Sequence, residues 1–202
     1  MNTDKKDITS DLATKIWKTK GSRLNAYRRL NVRAKLSLYL ISIYSAYVLI
    51  ASIFEKEFSA AIPNYPSAPN VILISLSLFI LIISIIEGTS RSEIIANNLH
   101  ENAKKLTPLL NKLEIIRNHP SPETSIAQLE KINKKYSSII DSCSDNHSPI
   151  DYEKFKLEHS ELKGSVEHPL LTHLRYHFFK IAFIVAITIP IFIVFALIYF
   201  AQ

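Results

Sequence analysis

Leu36–Phe54 reads LSLYLISIYSAYVLIASIF, nineteen consecutive residues without a charge. Two further runs share that character. Asn70–Ile86 (NVILISLSLFILIISII) is seventeen residues long and closed by Glu87, and Ile181–Phe200 (IAFIVAITIPIFIVFALIYF) is twenty residues long and opened by Lys180. At about 1.5 Å per helical residue, such runs reach roughly 25 to 30 Å, close to the ~30 Å hydrocarbon core of a bilayer. They predict membrane spans at about 36–54 and 70–86, joined within 36–87 as a tight hairpin. The connecting loop is only fifteen residues long and carries Pro63, Pro66 and Pro69. The segment 177–202 is expected to hold a third, C-terminal transmembrane helix. None of the runs reads as a cleavable signal peptide, because the first lies behind 35 polar residues.

The rest of the composition removes most other classes. Of 202 residues, 48% are hydrophobic and 21% charged, with a mean hydropathy of +0.11. That is too apolar for a disordered chain and too blocky for an ordinary soluble domain. Only three glycines are present, so neither a Rossmann fingerprint nor a Walker A loop can be built. A single cysteine, Cys143, excludes an internal disulfide and a Cys-rich zinc site.

Charge sets the expected topology. Residues 1–35 carry ten Lys/Arg against three Asp, residues 55–69 carry one Lys against two Glu, and residues 88–176 carry twelve of each sign. The basic residues near the spans fall on one side, so the positive-inside rule places the N-terminus inside, in the cytoplasm. It puts 88–176 on the same side and the C-terminus outside. A net charge of +6 concentrated in the first 35 residues points to anionic lipid rather than to nucleic acid. Within this arm, Leu12, Ile16, Leu24, Tyr27, Leu30 and Ala34 form an intermittent apolar stripe. The arm reads as a basic amphipathic juxtamembrane helix with Trp17 at the interface, broken at Gly21. Trp17, Lys20, Arg23, Arg28, Arg29 and Arg33 are its candidate contacts to lipid, or equally to a sensor partner.

The cytosolic segment 88–176 reads as an antiparallel, coiled-coil-like helical hairpin. Ile95, Leu99, Asn102, Leu106, Leu109, Leu113 and Ile116 are spaced 4,3,4,3, with a kink or break expected at Pro108. After a turn at Asn118–Pro122, Ile126, Leu129, Asn133, Tyr136 and Ile140 continue a matching seam. The seam asparagines either fix register or lie off the seam in solvent. Ser148-Pro149-Ile150-Asp151 predicts a helix start over 150–163, with Gly164 ending it.

Chemistry-bearing residues are sparse. His168, His173 and His177 lie against the membrane with only Glu167 near them and read as a juxtamembrane polar belt. Cys143 lacks an oriented base, so no catalytic, cofactor or metal site is expected. The hydroxyls in the spans carry more information. Ser42, Ser45 and Ser52 fall within roughly 80° on one helix, and Ser77, Ser84 and Glu87 repeat that spread on the next. One reading is close packing, with hydroxyls bonded to carbonyls a turn back. The other is that several hairpins assemble with these stripes lining a polar path.

The stretch Ile16–Leu30 (IWKTKGSRLNAYRRL), running into the serine- and tyrosine-rich SIYSAY of the first span, resembles the SLATT family of small bacterial membrane effectors. NHSPIDYEKF, residues 146–155, resembles the subgroup found beside reverse transcriptases and retrons. The third run departs from the family's two-span pattern. The resemblance implies an effector of antiphage defence that oligomerises and forms a pore or permeabilises the inner membrane, giving abortive infection. Its implied partners are the bilayer, further copies of itself, and a reverse transcriptase, retron or nucleotide-signalling sensor encoded nearby. Composition and spacing say nothing of defence. The alternative is a non-conducting membrane scaffold whose helical hairpin docks a partner protein.

Overall fold

The computed structural model describes residues 2–118 and 126–200, with side chains from residue 8 onward except at 61, 191, 193, 194, 197, 198 and 200. The elements are all helices: α1 (Asn2–Ile53), α2 (Glu55–Ala61), α3 (Ala68–Ser90), α4 (Ser92–Asn118), α5 (Ile126–Asp141), α6 (Pro149–Glu158), α7 (Ser160–Lys163), α8 (Pro169–Tyr176) and α9 (Phe178–Phe200). The expected all-α class is what the chain adopts. Of the expected turn, His119 to Pro122 lie outside the described residues. The chain divides into two compact units, residues 1–30 with 93–176 and residues 31–92 with 177–202, and α1 contributes to both.

The first unit is built like a soluble domain. Its core joins Leu12 and Ile16 of α1, Leu106 and Leu113 of α4, and Leu129, Ile132, Tyr136 and Ile139 of α5. Two seams were expected, and three helices share the core. The third helix is supplied by the arm, whose Ile16 is fully buried, so Leu12 and Ile16 face protein rather than a leaflet. On α4 the expected seam holds, with Leu99, Asn102, Leu106 and Leu113 buried. On α5 Leu129 and Tyr136 are buried as expected, but Ile132 and Ile139 join them in place of Asn133 and Ile140, and Ile126 and Asn133 stay exposed. The shift keeps the Asn133 amide in water, where burial without a partner would cost a few kcal/mol.

Pro108 does not break α4, which is continuous from Ser92 to Asn118. The carbonyl that loses its donor is that of Lys104, and both residues are exposed, so water can meet it. The helix expected over 150–163 is interrupted at His159, whose extended backbone (φ −121°, ψ 117°) separates α6 from α7. Gly164 follows the second piece, as its C-cap.

The second unit is apolar on the outside. Leu49, Ile53, Val71, Ile74, Ile85, Ile184 and Phe192 are each at least half exposed. A helix without a polar face suits lipid, because a soluble surface rarely tolerates so much contiguous apolar area. Among the described residues, two helical stretches, Ile8–Ile53 and Ala68–Asn118, are long and apolar enough to cross a membrane, or three if the bent pair Pro169–Tyr176 and Phe178–Pro190 counts as one span. Glu55–Pro69 is not all loop: Glu55–Ala61 forms α2, whose first turn carries Glu55 and Glu57. The prolines act only after it, turning the chain at 62–67 and starting α3 with Pro69 in its first turn. α3 ends at Arg91, whose left-handed backbone (φ 48°, ψ 23°) stops one helix before Ser92 opens the next.

Candidate functional site

Within the first unit, the two segments that carry the family resemblance pack against each other. Trp17 of α1 meets Phe155 and His159 edge-on, at ring-centroid distances of 4.7 and 4.5 Å. Gly21, one turn further along, lies directly beneath the Phe155 ring, and a Cβ there would overlap that ring. The glycine therefore does not break α1. It lets α6 approach a helix that stays unbroken from Asn2 to Ile53.

The capping box at Ser148 and Asp151 forms as expected, with Asp151 Oδ2 accepting the Ser148 N–H at 2.9 Å. Asp151 is also fully buried, and it receives both Nε (2.8 Å) and an Nη (2.9 Å) of Arg29. One carboxylate thus starts α6 and clamps it to α1. The hydrogen bond to Asp151 raises the Arg29 pKa above its ordinary value. Asn25, also buried, donates to Glu158 Oε2 at 3.0 Å and accepts from Arg28 at 3.2 Å. Its backbone carbonyl accepts the Tyr176 hydroxyl at 2.9 Å, tying α8 to the same point. Burial, reinforced by the Asp151 and Glu158 charges, pushes the Tyr176 pKa up to about 12.

Arg23, expected at a lipid or partner surface, is 2% exposed. Its guanidinium donates to Asn102 Oδ1, and Asn102 donates in turn to the Ile139 carbonyl at 2.6 Å. The seam asparagine on α4 is thus a bridge joining α1, α4 and α5. Arg23 Nε and His147 Nδ1 are buried without a hydrogen-bond partner. Burial lowers both pKa values, most directly because each charged form loses water. Lys20 is half-buried and Arg28 exposed. Cys143 Sγ lies 3.4 Å from the Asp145 carbonyl. Among the described residues, no group of three or more His, Cys, Asp or Glu is placed to hold a metal ion.

In the second unit the structure brings together two candidates from different stripes. Arg33 of α1 donates Nε and an Nη to Glu87 Oε1 of α3 at 3.2 and 3.0 Å. The Ser90 hydroxyl donates to Glu87 Oε2 at 3.2 Å, and the guanidinium of Arg33 lies 4.8 Å from the Phe179 ring centroid of α9. The hydroxyls of Ser42, Ser52, Ser77 and Ser84 each donate to the carbonyl four residues back, at 2.7–3.0 Å. Ser42, Ser52 and Ser77 nevertheless sit on the exposed surface of this unit, while Ser45 and Ser84 are half-buried.

One further polar contact was not foreseen. Tyr44, 4% exposed, donates its hydroxyl to the Ala186 carbonyl at 2.6 Å. Ala186 lies four residues before Pro190, so this is the carbonyl the proline leaves without a backbone donor. In hydrocarbon an orphaned carbonyl costs several kcal/mol, and a neighbouring helix supplies the missing hydrogen. A proline inside an apolar run was the available signal, since its i−4 carbonyl needs a donor from elsewhere.

These features define an all-α membrane protein with one unit built around a buried apolar core and one unit of long apolar helices that could span a bilayer. The chain belongs to the SLATT family: residues 5–201 match the family described as SMODS and SLOG-associating 2TM effector domain family 5. That family is defined by a two-transmembrane effector domain and not by a known catalytic activity. No curated protein and no solved structure matches the chain.

Proposed function

We propose that this chain acts in antiphage defence by assembling with further copies of itself and permeabilising the bacterial inner membrane, so that an infected cell stops growing. The observation that carries the assembly step is the placement of Ser42, Ser52 and Ser77 on the exposed surface of the second unit. In a bilayer such positions meet only lipid or another helix, and small hydroxyl-bearing residues favour helix–helix contact. In the assembled form the stripes of Ser42, Ser45 and Ser52 and of Ser77, Ser84 and Glu87 line the path. Arg33 neutralises Glu87 until assembly separates them.

In this reading the N-terminus and α4–α8 are cytoplasmic and α9 is a third span ending outside. The trigger is relayed by a sensor encoded nearby, of the reverse-transcriptase or retron kind or one that makes a nucleotide signal. Replacing Ser45 or Ser84 by Leu is expected to abolish toxicity while membrane insertion persists. Unchanged toxicity in both variants contradicts a serine-lined path.

The scaffold reading has one observation in its favour: Ser42, Ser52, Ser77 and Ser84 satisfy their hydroxyls within their own helices. If it holds, deleting 89–145 removes all function and span substitutions are mild.

A further inference from the structure

Within the first unit, α8 turns its apolar side outward. Thr172 and Tyr176, one turn apart, are buried. Thr172 donates its hydroxyl to Glu153 Oε2 of α6 at 2.9 Å, and Tyr176 donates to the Asn25 carbonyl of α1 at 2.9 Å. These two bonds fix the rotation of α8 about its axis. Leu170, Leu171 and Leu174 are left 74%, 49% and 46% exposed. At ~100° per residue they span roughly 100°, on the side opposite Thr172 and Tyr176. A surface helix of a soluble domain has its polar side outward, so α8 is inverted. Rotating it to bury the leucines would break both bonds.

The position of α8 in the chain says what meets this face. Leu174 lies seven residues before Ile181, where the uncharged run of α9 begins. Seven residues reach at most ~25 Å, and about 10 Å when helical. With α9 as the third span of the proposed function, a reading on which this site rests, the face is held beside a leaflet. Charge points the same way. From His168 to Lys180 the chain carries Arg175 and Lys180 and no Asp or Glu, and both basic residues are exposed. An outward apolar face flanked by basic residues suits the boundary between acyl chains and anionic headgroups.

We propose that α8 is an interfacial helix that anchors the first unit to the leaflet where α9 begins. Leu170, Leu171 and Leu174 enter the acyl boundary, and Arg175 meets anionic headgroups. α8 thereby supplies the lipid contact expected of the N-terminal arm, whose Leu12, Ile16 and Arg23 are buried in protein. The site stands whether or not the spans conduct.

The test places a fluorescent NBD label on the full chain in liposomes of phosphatidylethanolamine and phosphatidylglycerol at 3:1. Cys143, the one native cysteine, is first replaced by Ser. Labels at Leu170→Cys and Leu174→Cys should each dim about twofold with lipid carrying a nitroxide near its headgroup, and should resist iodide in the water. Ile184→Cys, exposed on α9, is the lipid reference, and Glu101→Cys, exposed on α4, is the water reference. Lipid quenching at Ile184 with only iodide quenching at Leu170 and Leu174 overturns the proposal and leaves the span standing. No lipid quenching at Ile184 removes the span and the proposal with it. Labels at Leu170 and Leu174 that neither quencher reaches mean that a second copy or another protein covers the face, which also overturns it.

Discussion

Gly21 shows how one residue settles the approach of two segments far apart in sequence. A mid-helix glycine ordinarily weakens a helix by ~1 kcal/mol relative to alanine. Here it sits under the Phe155 ring, where a Cβ has no room. Gly21→Ala is expected to destabilise the detergent-solubilised full chain by about 1–3 kcal/mol through overpacking, outweighing the gain in propensity. In a Phe155→Leu background the same substitution should cost much less, and an equal loss of thermal stability in both backgrounds would refute the contact.

His147 carries a prediction of pH dependence. Its folded pKa lies below the ordinary value of 6.5 because burial disfavours the charged ring, with Asp151 partly opposing and Arg23 reinforcing. The unfolded chain then binds the extra proton more readily. The contribution is present in full above about pH 6.5 and lost as pH falls from there through the lowered folded value. The melting temperature should drop on acidification from pH 7 to 5, and His147→Gln should flatten the slope. An identical slope in the variant contradicts the assignment.

At the scale of elements, the Tyr44–Ala186 hydrogen bond ties α1 to α9. Tyr44→Phe leaves the Ala186 carbonyl without a donor and should destabilise the chain by about 1 kcal/mol, in the range of interhelical bonds in membranes. Pro190→Ala restores a backbone donor to that carbonyl, so Tyr44→Phe should be close to neutral in its presence. A double-mutant cycle measured by detergent or urea unfolding reads this coupling directly, and additive effects would sink it.

The two long apolar helices and the α6 start were legible because uncharged length and the Ser148–Asp151 spacing are local signals. The α5 register was not, because Asn133 and Ile132 differ in burial only once α1 supplies a third face. Nor was the inward turn of Arg23, since a basic residue on an amphipathic stripe looks the same whether it meets lipid or Asn102.

The whole molecule is two units of opposite character, one with apolar residues inside and one with them outside. The candidate basic contacts divide along the same line. Arg23 and Arg29 are held within the first unit, and Arg33 is held by Glu87 in the second. This division was invisible in the net charge of residues 1–35, because charge counts do not say which side of a helix faces protein.

The central claim, permeabilisation of the membrane, is tested most directly by a voltage-sensitive dye in cells carrying this chain with its neighbouring genes under phage challenge. Depolarisation is expected before lysis, and is expected to be lost in Ser45→Leu and Ser84→Leu cells. A steady potential while protection persists would contradict it.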